Sequence, residues 1–124
     1  MQKPNLPKSN LNESNVVVLQ GHVSSEPRRR DLPSGTTLLQ VEVTTPGDGA
    51  LLSVPVVWFD PTRDFAPADE VTVLGHVRRR FYRAGGVTQS RTEVVAECIV
   101  ATDRRRDVQR LVRRAVAALG GSAI

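Results

Sequence analysis

EVTVLGHVRRRFYR, residues Glu70 to Arg83, decides how the rest of the chain reads. Val71, Val73 and Val77 recur with the period of two that marks a strand with one buried face. Gly75 lies inside this run, and beyond His76 the chain breaks into three arginines, two aromatics and a fourth arginine. Successive strand side chains point to opposite sides. Arg78, Arg80 and Tyr82 therefore share one face, and Arg79, Phe81 and Arg83 the other. Guanidinium and aromatic groups two residues apart can meet a phosphate and a base together. The first face is the candidate nucleic-acid surface; its bland alternative is a solvated edge whose charges discourage edge-to-edge pairing. Phe81, on the second face, is expected in a core or an interface.

Working outward, Ala84-Gly85-Gly86 reads as a hairpin turn. Thr88 to Val100 returns as a strand, with Val94, Ala96, Cys98 and Val100 expected on one face. Upstream, Asp60 to Asp69 (DPTRDFAPAD) is too rich in proline for a stable helix and reads as a loop. Ala50 to Phe59 is a strand in which Pro55 marks an edge or a bulge. Pro46 to Gly49 is a short turn. Thr36 to Thr45 alternates, with Leu39, Val41 and Val43 on its apolar face. Glu26 to Gly35 is read as a turn region that places Arg28, Arg29 and Arg30 in a loop, within reach of phosphate or simply as a solvated charge run. Val16 to Val23 is a strand interrupted by Gly21. Gly21 and Gly75 stand in similar contexts, LQGHV and LGHV, where a strand would have to coil. Five such strands suit a small closed barrel.

Residues 104–119 change period. Val108, Leu111, Val112, Ala115 and Leu119 follow helical spacing, with Arg106, Arg110, Arg113 and Arg114 on the opposite side. Asp103 sits where an N-cap is wanted, and Gly120-Gly121 is a natural stop. Three uses of this helix stay open: docking its apolar face on the barrel or on another subunit, adding auxiliary phosphate contacts through those four arginines, or lying on an anionic membrane. The last is disfavoured by its length and its lack of Trp or Phe.

The 124 residues suit one domain, and the +4 net charge is unevenly placed. Residues 1–100 balance eleven cations against eleven acids, whereas residues 101–124 hold six arginines against Asp103 and Asp107. Any anion site on the body of the protein must then be a local stripe. With one Trp, one Tyr and three Phe, the core must be largely Val, Leu, Ile and Ala. A single cysteine, Cys98, excludes an intrachain disulfide and a cysteine-built zinc site, and reads as a small core residue. The polar start, MQKPNLPKSNLNES, has no signal-peptide pattern and no apolar run is long enough to span a membrane. A cytoplasmic protein is expected. His22 and His76 lack a third ligand, and Ser53 and Ser90 lack a base, so no metal, cofactor, small-molecule substrate or catalysis is expected. Trp58 and Phe59 alternate faces, so at most one can enter a given groove; core packing is open to either, and a subunit contact to Trp58.

At this point the ordered set of residues resembles a known family. NVVVLQGHVSSEPRRRDLPSGTTLLQVEVTT (Asn15 to Thr45), with DEVTVLGHVRRRFYRAGG and RTEVVAECI further on, is similar to bacterial single-stranded DNA-binding proteins. The resemblance covers roughly residues 15–100 and implies an all-β fold, a five-stranded OB barrel followed by the C-terminal α-helix. It implies sequence-tolerant binding of single-stranded DNA in replication, repair or recombination at the bacterial nucleoid, by a homo-tetramer or homo-dimer. Tyr82 and Phe59 match stacking positions of the family, and Ser53 stands where a stacking tryptophan is common. The turn at Pro46–Gly49 is short where many members carry a long hairpin. The Asp60–Asp69 loop replaces a common helix, and the sequence ends in a basic helix and GGSAI instead of an acidic, phenylalanine-ended tip. The organisation expected is an arm over 1–14, a DNA-binding barrel over 15–102 and a basic helix with a short tail over 103–124. The alternative function is an OB-fold adaptor that binds protein, with weak or no DNA binding.

Overall fold

A sheet with one apolar face needs a second layer to cover it, and here the sheet supplies that layer by closing on itself. The structure, a computed structural model, describes residues 13–120. The arm expected over 1–14 lies outside the described residues except at Glu13 and Ser14, as does the tail beyond Gly120. The elements are β1 (Val17–Val23), β2 (Arg28–Asp31), β3 (Thr37–Pro46), β4 (Leu51–Phe59), β5 (Glu70–Ala84), β6 (Val87–Ala101) and α1 (Arg105–Ala118). Around the barrel the order is β1-β5-β6-β4-β3, and pairing of β1 with β3 closes it. The β4–β6 pairing is parallel and the other pairings are antiparallel. β2 adds an outer strand beside β3. This is a closed five-stranded mixed barrel of OB type with one extra strand and one helix.

Closure depends on two glycines. A Cβ on Gly21 would overlap the carbonyl oxygen of Thr44, where β1 turns from β5 toward β3. A Cβ on Gly75 would overlap the carbonyl oxygen of Val95, where β5 crosses β6 at a register shift. No side chain fits either approach, which is why the strand reading at LQGHV and LGHV holds. Pro55 pairs with Glu42 on one side and precedes the stretch of β4 that meets β6, so its missing N–H breaks no ladder there.

The interior is aliphatic, as the composition required. Val23, Val41, Val43, Val56, Val71 and Val73 are buried together with Leu39, Ile99 and Trp58. Trp58 is therefore a core residue and not a subunit contact. Phe65, from the loop between β4 and β5, is buried against it with ring centroids 6.2 Å apart. The Arg63 guanidinium lies over Phe65, 4.4 Å from the ring centroid. A proline-rich loop thus seats an aromatic against the barrel core without forming a helix.

Four expectations are corrected. Arg28 to Arg30 lie not in a loop but in β2, paired with β3 from Arg28↔Gln40 to Asp31↔Thr37. Every residue of β2 is exposed, so no apolar alternation announces it. The face expected for Val94, Ala96, Cys98 and Val100 breaks in two. Leu74 pairs with Cys98 but Gly75 with Ala96, leaving Glu97 as the extra residue of a bulge. Val94, Ala96 and Ile99 face the barrel core, while Cys98 and Val100 pack with Leu74, Leu111 and Ala115 beneath α1. Burial there pushes the Cys98 thiol up from its ordinary value, with Arg114 pulling it down and Glu97 raising it. Next, α1 begins one residue later than expected. Its N-cap is Arg104, no side chain caps it, and Asp107 in the first turn is the acid placed near its positive end. Finally, Phe81 is 65% exposed and belongs to no core.

Candidate nucleic-acid interface

β5 and β6 run on past the barrel as a two-stranded ribbon. The turn joining them has Gly85 at φ 61° and Gly86 at φ 79°, the left-handed pair that a two-residue hairpin requires. It sets Ala84 opposite Val87, and counting back puts Tyr82 opposite Gln89, Arg80 opposite Arg91 and Arg78 opposite Glu93. Residues directly opposite in a ladder share a face. The ribbon's outer face is thus Arg78, Arg80, Tyr82, Gln89, Arg91 and Glu93.

Register carries that face across the barrel. Val95 follows Glu93 on the same side and pairs with Val57, Val57 with Gln40, and Gln40 with Arg28. Phe59 and Arg30 each pair with Leu38 and so lie on this side too. Contacts agree with the register. The Arg78 guanidinium lies 5.8 Å from the Phe59 ring centroid, and that of Arg80 lies 5.4 Å from the Tyr82 ring centroid. A cleft of about 480 Å³ is lined by Arg28, Arg30 and Arg91 with Ser25, Glu26, Gln40 and Glu42. Six residues singled out from the sequence, Arg28, Arg30, Phe59, Arg78, Arg80 and Tyr82, therefore fall on one continuous surface.

Beneath them lies a residue the sequence reading passed over. Glu93 has a side chain only 1% exposed, yet its carboxylate serves three arginines. Arg78 donates to Oε2 through Nη2 and, at 3.1 Å, through Nε. Arg80 Nε donates to the same oxygen at 3.3 Å, and Arg91 Nε lies 3.7 Å from Oε1. Burial pushes the Glu93 carboxyl up. The hydrogen bonds and charges of Arg78 and Arg80 outweigh that and hold it below its ordinary value. Arg91 also reaches Glu42 at 3.6 Å, and Glu42 accepts a hydrogen bond from Ser53 Oγ at 3.1 Å. Ser53, where the family resemblance would put a stacking tryptophan, thus serves the ion network.

Arg29 does not join the surface. Alternation turns it to the other side of β2, where it pairs with Asp64 of the β4–β5 loop. The helix arginines also lie apart. α1 docks through Leu111 and Ala115 on Leu74, Cys98 and Val100, at the end of β5 and β6 remote from the ribbon. Arg114 pairs with Glu97, Arg110 lies 3.5 Å from Asp107, and Arg106 and Arg113 are exposed.

The opposite face of the ribbon repeats the chemistry with no acid among the described residues. The Arg79 guanidinium lies 5.5 Å from the Phe81 ring centroid, and Arg79 Nη2 donates to Ser90 Oγ at 3.1 Å. Arg83 Nη2 donates to the Gly86 carbonyl at 2.7 Å. At the ribbon's base the Asn15 amide imitates a strand. Its Nδ2 donates to the Val77 carbonyl at 2.7 Å, and its Oδ1 accepts from the Val77 N–H at 2.8 Å. This extends the β1–β5 ladder by one side chain.

The signal that could have found Glu93 was present. A two-residue turn fixes the pairing of every residue behind it, so Arg78 and Glu93 could have been set opposite one another from the sequence. No helix among the described residues is long and apolar enough to cross a membrane. Comparison with protein-family models and with curated proteins gives no match to this chain.

Proposed function

We propose that the outer face of the ribbon and of β4, β3 and β2 binds single-stranded DNA with little regard to sequence, as a non-catalytic OB-fold protein acting in replication, repair or recombination. One observation carries this reading: Arg28, Arg30, Phe59, Arg78, Arg80 and Tyr82 converge on one surface, with guanidinium groups beside both rings. Rings offer every base a stacking partner, and guanidiniums offer phosphate a bidentate one. One exposed ring, Tyr82, and one half-buried ring, Phe59, are few, so phosphate contacts carry much of the affinity and salt weakens it steeply. Titration of a labelled oligo-dT by fluorescence anisotropy over a salt series tests this. The expected result is binding at low salt whose logarithm falls linearly with the logarithm of salt concentration, with a slope of about −0.7 per phosphate neutralised. Absence of binding at low salt removes the proposal.

A second reading, an adaptor that binds protein, is favoured by a different surface. Val112 and Val116 of α1, with Leu119 at its C-cap, form an exposed apolar stripe beside the part that docks on the barrel. A homo-oligomer would be one use of that stripe. Under the adaptor reading, Arg80→Ala with Tyr82→Ala leaves partner capture intact; under the first reading the pair weakens oligo-dT binding by about 2–4 kcal/mol.

A further inference from the structure

Besides Glu26 and Glu42 in its cleft, the candidate surface holds a buried acid directly beneath its arginines, where a phosphate-binding face would be expected to hold none. Glu93 sits at its centre, buried, with Arg78, Arg80 and Arg91 gathered on its two oxygens. Charge alone makes it a defect, because a carboxylate repels a phosphate. The geometry points to another role. We infer that Glu93 is a positioning residue that orders the arginines of the binding face before ligand arrives.

The argument starts from arginine's flexibility. A guanidinium on a free side chain must give up rotamer freedom to grip a phosphate, and that loss subtracts from affinity. Glu93 takes the loss at folding. It engages Nε of all three arginines and a terminal nitrogen of Arg78, and leaves the three side chains 36–46% exposed. Each guanidinium has five donors, so one or two bonds to Glu93 leave the others for ligand. Three cations against Glu93 and the half-exposed Glu42, which also reaches Arg91, keep the local charge positive. The carboxylate cannot itself reach the ligand, because its side chain is 1% exposed. The opposite face of the ribbon supplies the contrast: among the described residues Arg79 and Arg83 have a ring, a hydroxyl and a carbonyl as partners, but no carboxylate.

This inference rests on the proposed nucleic-acid reading, and it opposes the prediction made from charge alone. Glu93→Gln raises the net charge by one, and so does Glu97→Gln, which removes the acid paired with Arg114 away from the site. If only charge matters, both variants bind oligo-dT equally well or more tightly than the unaltered protein. If Glu93 positions the arginines, Glu93→Gln binds about tenfold more weakly, the effect of freeing one or two long side chains, while Glu97→Gln does not weaken binding. Equal or tighter binding by Glu93→Gln overturns the inference. Should Glu93→Gln fail to fold, the unaltered protein decides by NMR. Arg78 and Arg80 should give sharp, ordered Nε–H signals, and Arg79 and Arg83 averaged ones. Equal mobility of the two pairs overturns the inference. If the unaltered protein binds no oligo-dT at low salt, the nucleic-acid reading falls, and the Nε–H signals alone judge whether Glu93 holds the arginines.

Discussion

The two faces of the β5–β6 ribbon are built from nearly the same residues and are organised by opposite means. On one, Arg80 stands beside Tyr82; on the other, Arg79 stands beside Phe81, at almost the same distance. The difference is what lies under the arginines. The outer face has a buried glutamate, and its alternation leads into a continuous surface over β6, β4, β3 and β2. The other face leads back toward Val77 and the barrel core, and among the described residues no acid anchors it. Composition alone therefore does not make a site. The same guanidinium and ring make a candidate site where a fixed partner and a neighbouring surface hold them in place.

The largest expected effect removes the comparison by removing the base from which both faces rise. Gly75→Ala forces a Cβ against the Val95 carbonyl, which is backbone and has no rotamer to yield. A loss of about 3 kcal/mol or more is expected, on the scale of overpacking combined with a broken strand crossing, and thermal melting followed by circular dichroism measures it. Smaller, but aimed at the comparison itself, are paired substitutions. Arg80→Ala with Tyr82→Ala should cost oligo-dT binding about 2–4 kcal/mol, from one stacked base and one phosphate contact. Arg79→Ala with Phe81→Ala should cost less than about 1 kcal/mol. Equal losses would mean that the ribbon binds with both faces, or with neither in particular.

The smallest effect concerns acid. Glu93 titrates below the ordinary carboxyl value of 4.5, so its ionised form is the one folding favours. Its contribution to stability is complete above about 4.5 and disappears as pH falls through the lower folded value. Ribbon order, read from the Arg78 and Arg80 Nε–H signals, should hold down to that pH and weaken below it. In Glu93→Gln this step should be absent. Arg79 and Arg83, with no acid beneath them, should show no matching change.

Much of this was legible in the chain, for reasons that can be named. The strand of Leu39, Val41 and Val43 announces itself because one side of it is core. Gly21 and Gly75 stand out because each interrupts a β-branched run. What stayed hidden lacks a periodic signal. β2 is exposed along its whole length, so its four residues look like a charged turn. The Glu97 bulge is invisible to alternation, because Cys98 and Val100 are as apolar as the residues they displace. Phe65 in a proline-rich loop gave no hint that its ring would be buried against Trp58. Among the site residues, alternation grouped Arg78, Arg80 and Tyr82 correctly. Bringing in Arg28, Arg30 and Phe59 required the register of four strand pairings, and separating Arg29 from its neighbours required knowing that β2 is a strand.

That single extra residue at Glu97 works as a phase shifter between two outward-facing surfaces on one strand. Above it, odd-numbered Arg91, Glu93 and Val95 look outward; below it, even-numbered Cys98 and Val100 do, into the helix. An unbroken strand could not serve both. Keeping the ribbon's phase would turn Cys98 and Val100 into the barrel and bring Ile99 out beneath α1. Keeping the helix's phase would carry Glu93 into the barrel and leave its three arginines without a counterion. Deleting Glu97 would cost directly only its exposed ion pair to Arg114, yet it would force the chain to choose between holding its helix and holding its arginines.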